Sequence, residues 1–203
     1  MNVSALVLAA GISLRMSGSN KLLLPLGGKA LVAHTVDHLL AAAVDEVLVV
    51  IGYQAEQVQT ALSGRGVKFV FNADYAGGLS TSIVAGVRAV AATTQAFLIS
   101  LGDVPLVTAA EIDLVLQAFV RRRACSIAVP VHGGRRGHPV VFDRVHESEL
   151  LALSGDAGGK TILARHPHAV LEVAMPADHI LCDVDTPAAY ERLCRRWEES
   201  GRR

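Results

Sequence analysis

The sequence predicts an α/β fold, a three-layer sandwich with helices on both sides of a mostly parallel central sheet. Two observations predict it. Short β-branched apolar runs alternate along the chain with longer helical patterns, the order expected of strand–helix–strand units. The runs ALVLAA, EVLVVI and FLISL are apolar at consecutive positions, which suits strands covered on both faces. At 203 residues, 51% of them hydrophobic and 19% charged, the chain is long enough for a real core, and wholesale disorder is excluded. No repeat or low-complexity linker divides it, so residues 1–203 read as one domain.

The first strand is expected at 4–9. Before the first helix, at 30–43, runs GISLRMSGSNKLLLPLGGK, longer than the ~12–15 residues beyond which loops are uncommon in compact domains. It follows the first buried strand, where α/β folds place ligands, and it carries Gly11, Arg15, Gly18 and Lys21, a set suited to an anion. The alternative, a mobile surface loop, fits poorly with LLLP. Strands at 45–51, 67–71 and 96–101 then alternate with helices at 54–62, 79–92 and 108–122. The basic run Arg121-Arg122-Arg123 reads as a solvated helix terminus favoured by the dipole. Further strands are expected at 126–131, 139–142, 170–174 and 180–184, with helices at 145–153, 157–165 and 187–198. These later strands are short and interrupted by Pro and Gly, and read as a lobe added to the main sheet.

Nineteen Lys and Arg balance nineteen Asp and Glu, which argues against nucleic-acid binding by phosphate neutralisation. Cys125, Cys182 and Cys194 include no close pair, so they read as small buried residues in a reducing compartment. MNVSALVLAAG lacks the basic region of a signal peptide, and no stretch approaches the ~20 apolar residues of a membrane span. A soluble cytoplasmic protein without a membrane partner is expected. His34 and His38 share a helix face, but without a nearby third ligand they read as exposed side chains.

Three groups of residues carry chemistry. Leu8-Ala9-Ala10-Gly11 is followed by Arg15 and Lys21. Small residues after a strand let backbone N–H groups approach a polyphosphate, while Arg15 forks onto phosphate oxygens and Lys21 adds a point charge. Gly102-Asp103-Val104-Pro105 ends an apolar strand, and a carboxylate there points toward the ligand crevice. Asp183 and Asp185 alternate to one side of the expected strand 180–184, and Thr186-Pro187 reads as an N-cap and first-turn pair. Asp185, at the mouth of that strand, is the preferred site residue of the two, with helix capping as its alternative. Asn72, Ser80 and Ser82 border the start of helix 79–92, where they either read a base or ribose or simply cap the helix. Gly155-Asp156-Ala157-Gly158-Gly159-Lys160-Thr161 is no P-loop, since Ser stands at 154 and a helical pattern precedes it.

LAAGISLRM with Lys21 resembles the opening signature of the nucleotidyltransferase superfamily. With GLSTSI, GDVP, Arg136-Gly137-His138-Pro139, SGDAGGKTIL and DVDTPAAY, the chain is similar over about 3–192 to the molybdenum cofactor cytidylyltransferase family. The resemblance implies a Rossmann-like nucleotidyltransferase fold in which CTP and a molybdenum-bearing molybdopterin react to a dinucleotide with release of pyrophosphate. It implies a nucleotide half, about 1–107, binding CTP through Leu8, Ala9, Ala10, Gly11, Arg15, Lys21, Asn72, Ser80, Ser82 and Asp103, with Arg15, Lys21 and Asp103 catalytic. It implies Mg2+ on Asp103 and Asp185, and an acceptor half, about 108–203, holding the pterin with His138, Asp156 and Lys160. His138 is equally readable as a structural imidazole at a strand start. A molybdoenzyme would receive the product. The chain departs from the family at Gly159-Lys160, where the residue before the basic one is usually Ala, and at Ser17, where Gly is common. Transfer to a sugar phosphate, use of another nucleotide, and a cofactor-binding chaperone without turnover are the competing readings.

Overall fold

A computed structural model describes residues 1–16, 18–122 and 124–201, so Ser17 and Arg123 lie outside the described residues. The strands are β1 (Val3–Ala9), β2 (Pro25–Leu26), β3 (Lys29–Ala30), β4 (Glu46–Ile51), β5 (Lys68–Phe71), β6 (Ala96–Leu101), β7 (Ile127–His132), β8 (Arg135–Arg136), β9 (Val140–Asp143) and β10 (Val170–Ala174). The helices are α1 (Leu31–Leu40), α2 (Ala55–Ala61), α3 (Leu79–Ala89), α4 (Ala109–Arg121), α5 (Glu147–Leu151), α6 (Gly159–Arg165) and α7 (Pro187–Glu199). The main sheet runs β10-β7-β9-β6-β1-β4-β5, with β8 paired to β7. Its pairs are parallel except at β8 and at β9, which is antiparallel to both β6 and β7.

The pleat explains the unbroken apolar runs. Val3, Ala5, Val7 and Ala9 of β1 join a core roofed by α1, α2 and α4, while Leu6 and Leu8 join a second core under α3, α5 and α6. Both faces of the central strand are therefore buried, and three layers result. A third cluster sets Trp197 and Leu193 of α7 against Leu26 and Leu31. Among the described residues, no helix is long and apolar enough to cross a membrane.

Four local expectations change. Residues 180–184 form no strand: Asp178–Leu181 is a 3-10 turn whose Ile180 packs into the first core, while Asp178 and His179 turn outward to Arg196 and Glu111. The later strands are no separate lobe, because β9 bonds directly to β6 and continues the sheet. His34 is buried, with Nε2 2.8 Å from the Leu26 carbonyl oxygen and its ring edge-on to Trp197. The three cysteines are half-buried thiols.

The segment after β1 is built rather than loose. Asn20 accepts a hydrogen bond from the Leu22 N–H at 3.1 Å and caps a 3-10 turn over Lys21–Leu23. Leu22 and Leu26 are buried, and Gly27 and Gly28, both at positive φ, turn β2 back onto β3. A side chain at Gly27 would stand 2.4 Å from Trp197 Nε1.

Glu111 ties α4 to the 178–181 turn. It accepts from the Thr108 N–H and hydroxyl at 2.9 Å each, and His179 Nδ1 lies 3.0 Å away. Burial opposes its charge, but these partners outweigh that and hold its carboxyl below the ordinary range. Its contribution is complete above the unfolded pKa and is lost as pH falls through the lower folded one. Glu111→Gln should therefore cost about 1–3 kcal/mol at neutral pH and flatten the loss of stability below roughly pH 4.3, as urea denaturation across pH will show.

Candidate functional site

The site lies at the carboxyl ends of β1 and β6, where open α/β sheets bind ligands. The chain leaves β6 at Gly102, whose N–H donates to the Leu8 carbonyl at 3.0 Å. A Cβ there would come within 3.1 Å of that oxygen and 3.2 Å of Leu22, so a larger residue would push the strand end a few tenths of an ångström away from β1. Thr35 anchors the Gly102 carbonyl from α1 at 3.2 Å. Asp103 follows, buried and aimed at the rim.

Lys21 brings charge to this carboxylate from the opposite side. Its ammonium hydrogen-bonds Asp103 Oδ2 and donates to Asp185 Oδ1 at 2.6 Å. Burial opposes the charge on Lys21, but Asp103 and Asp185 outweigh it and raise its pKa. The hydrogen bond from Lys21 in turn holds Asp185 below the usual carboxylate range. Burial, reinforced by Asp183 and Asp185, pushes the Asp103 carboxyl up against the pull of Lys21. Among the described residues Arg15 is attached only by a 3.3 Å contact to Asp185, with 74% of its side chain exposed. Such a surface pair contributes about 0–1 kcal/mol, so its guanidinium is readily available to an incoming anion. Asp185 is not the cap of α7. Thr186 performs that task, accepting from the Ala189 N–H at 3.2 Å with Pro187 in the first turn.

These groups line a cleft of about 460 Å³ with Leu8, Ala10, Gly11 and Ser82. A second cavity of about 670 Å³ is lined by His138, Arg135, Asp156 and Lys160. Leu8, Leu79, Leu101, Asp156 and Asp183 border both, so the cavities adjoin and each draws on early and late parts of the chain. His138 Nδ1 is buried without a hydrogen-bond partner among the described residues. Burial, against the pull of the Ile99 backbone, and the nearby Lys160 charge lower the His138 pKa, so the ring is neutral at pH 7.

Three of the expected nucleotide contacts are directed elsewhere. Ala9 alternates to the opposite face of β1 and packs in the α1 core. Asn72 donates to Thr81 and Ser82 at 2.8 and 3.1 Å and accepts from the Asp74 N–H. Ser80 sends both its hydroxyl and its N–H to the Gly155 carbonyl, at 2.7 and 3.2 Å. Gly78 permits this seam: at φ 102°, a Cβ would lie 2.5 Å from the Gly155 oxygen. Leu8, Ala10, Gly11 and Ser82 remain in the cleft, and Arg135 and Tyr75 join as lining residues that the motifs did not single out. The glycine pair Gly77-Gly78 was the available signal for Tyr75.

The donor chemistry fits a divalent cation. Asp103 and Asp185 converge on one point, now held by the Lys21 ammonium, and magnesium takes one or two carboxylates beside phosphate and water oxygens.

Comparison with known proteins gives the family. The chain is 30% identical over 196 residues to nicotine blue oxidoreductase of Paenarthrobacter nicotinovorans, covering 94% of this chain and 96% of that protein. It is 26% identical to the molybdenum cofactor cytidylyltransferase of Escherichia coli K12, covering 97% and 98%. A nucleotidyl transferase from Methanothermobacter thermautotroptrophicus superposes with a TM-score of 0.86 at 27% identity, covering 98% of this chain and 99% of that one. The family model of the MobA-like NTP transferase domain matches residues 5–170, a span that contains the strand–loop–lysine rim and the GDVP carboxylate. The chain belongs to this family and is a nucleotidyltransferase.

Proposed function

We propose that the protein transfers a cytidylyl group from CTP to the terminal phosphate of molybdenum-loaded molybdopterin. The observation that carries this reading is the Lys21 ammonium shared by Asp103 and Asp185 where two polar-rimmed cavities adjoin. Similarity to the E. coli cytidylyltransferase supports the choice of CTP and pterin. An oxygen of the acceptor phosphate attacks the α-phosphorus, the bond from the α-phosphorus to the bridging oxygen breaks, and pyrophosphate leaves with the electron pair. The nucleophile is already anionic, so no strong base is required, and catalysis consists of positioning and charge neutralisation.

The backbone at Leu8, Ala10 and Gly11, with Ser82, would receive the nucleotide. Arg15 and Lys21 would bind the triphosphate and stabilise charge on the departing pyrophosphate. Asp103 and Asp185 would hold magnesium, which when bound supplies neutralisation and orientation of the phosphates. His138, Asp156 and Lys160 would contact the acceptor. The neutral His138 ring, with its unpartnered Nδ1 and its other nitrogen turned to the Ile99 backbone, offers a hydrogen-bond acceptor to an N–H or O–H of the pterin.

Pyrophosphate release should be greatest with CTP when CTP, GTP and ATP are compared with molybdenum-loaded molybdopterin and magnesium. Activity with a sugar phosphate but none with molybdopterin would overturn the acceptor, and tight pterin binding without turnover would favour a chaperone. The similarity to nicotine blue oxidoreductase makes the reduction of nicotine blue the parallel assay, and reductant-dependent turnover without pyrophosphate would replace transfer by redox chemistry.

Asp103→Ala should cut turnover by several orders of magnitude while the fold survives, because the carboxylate lies at a strand mouth. Turnover within about tenfold of wild type at the same magnesium requirement would remove Asp103 as a principal ligand. His138→Ala should raise the acceptor KM by roughly 2–13-fold, the equivalent of one neutral hydrogen bond of ~0.5–1.5 kcal/mol, and leave CTP binding nearly unchanged. Lys21→Ala should instead lower kcat with both substrates saturating. Separate titrations of CTP and acceptor distinguish the two.

A further inference from the structure

Outside both cavities, on the α5 and α6 side of the sheet, two imidazoles and a carboxylate converge. His146 ends the 3-10 turn at Arg144–His146, Glu149 lies one turn on in α5, and His166 caps the end of α6. His146 Nδ1 stands 3.1 Å and His166 Nε2 2.8 Å from the same oxygen, Glu149 Oε1, and the three ligand atoms lie within 4.8 Å of one another. We propose that this trio is a metal site for a zinc-class divalent ion, held by His146 Nδ1, Glu149 Oε1 and His166 Nε2.

The donor set selects the class of ion. Two imidazoles and one carboxylate suit zinc and its first-row neighbours, whereas magnesium and calcium prefer all-oxygen surroundings. Bonds of ~2.0–2.1 Å in a tetrahedron separate adjacent ligand atoms by about 3.3 Å. The two contacts to Glu149 Oε1, at 3.1 and 2.8 Å, therefore need to open to about that spacing, and the two imidazole nitrogens, within 4.8 Å of one another, have to settle near it as well. His146 and Glu149 are three residues apart on one helical surface, and His166 reaches them from a different helix, so the ligands are fixed by tertiary packing.

A second, independent feature orients the buried ligand. Ser126 Oγ lies 2.7 Å from His146 Nε2, leaving Nδ1 turned to Glu149. Binding through Nδ1 puts the ring proton on Nε2, where it donates to Ser126. A hydroxyl both donates and accepts, so it supports the ring with or without metal, and such an outer partner is the usual support of a ligating histidine. His166 and Glu149 are partly open to solvent, which leaves room for water as fourth ligand. Arg165, 3.5 Å from the other oxygen of Glu149 and 57% exposed, is free to turn away. An ion here would staple the end of α6 to α5. The first turn of α6, Gly159-Lys160, borders the second cavity.

The test uses full-length protein freed of metal and carrying Asp103→Asn and Asp185→Asn, so that the carboxylate pair of the cleft takes no ion. Zinc is titrated in competition with a chromophoric chelator. We expect one zinc per chain, binding weakened at least tenfold by His166→Ala or Glu149→Gln, and a loss of about 10–100-fold on Ser126→Ala. Cobalt should give the visible absorption of a low-coordinate nitrogen–oxygen site, absent in His166→Ala. Thermal unfolding without metal verifies that each variant folds, and zinc should raise the Tm only where the trio is intact. Absence of zinc binding at micromolar concentration, or affinities within twofold in both His166→Ala and Glu149→Gln, would overturn the site. None of these readouts depends on nucleotidyl transfer.

Discussion

Lys21 delivers one positive charge to a rim that carries Asp103, Asp183 and Asp185, and its ammonium bonds two of the three. Much of the local structure follows from that requirement. A carboxylate as enclosed as Asp103 needs a partner or a proton, because removing one member of a buried pair leaves an uncompensated charge. The Asn20 cap, the turn at Lys21–Leu23 and the buried Leu22 hold the lysine against the sheet. Through Asp185 the same ammonium fixes the approach to α7, which in turn brings Trp197 over the β2–β3 hairpin. The long segment after β1 is thus ordered from both ends, by an ion pair at one and apolar packing at the other.

The seam between Gly78 and Gly155 plays the corresponding part for the two cavities. Ser80 joins the start of α3 to a loop 75 residues further on, with Asp156 at the point of contact. Beside this seam the cleft and the second cavity share Leu8, Leu79, Leu101, Asp156 and Asp183 in their lining.

The layered fold was legible because β1, β4 and β6 are apolar on both faces, a property of burial visible residue by residue. Asp103 and Lys21 were legible for a related reason: glycine and charge directly after a buried strand mark a rim. What escaped depends on contacts distant in sequence. The apolar content of 180–184 is the same for a strand as for a 3-10 turn plugged by Ile180, and two-residue strands such as β2, β3 and β8 have no period to read. The hydroxyl of Ser80 at a helix start looks alike whether it faces a ligand or Gly155. The Ala9 side chain turns into the α1 core because one step along a pleat reverses the face. His34 became a core residue because α7 covers its helix.

One reversed strand has a consequence for how this architecture can change. Since β9 runs against β6, its beginning lies beside the end of β6, with Val140 opposite Ile99. The chain can leave the sheet at the end of β7, turn through exposed Gly133 and Gly134, and re-enter beside the same rim without a crossover helix. Arg135 to His138 are thus carried on a short hairpin hinged at one edge of the pocket. Insertions at its tip, in exposed chain, would leave the registers of β1, β4 and β6 and the lysine–aspartate rim in place.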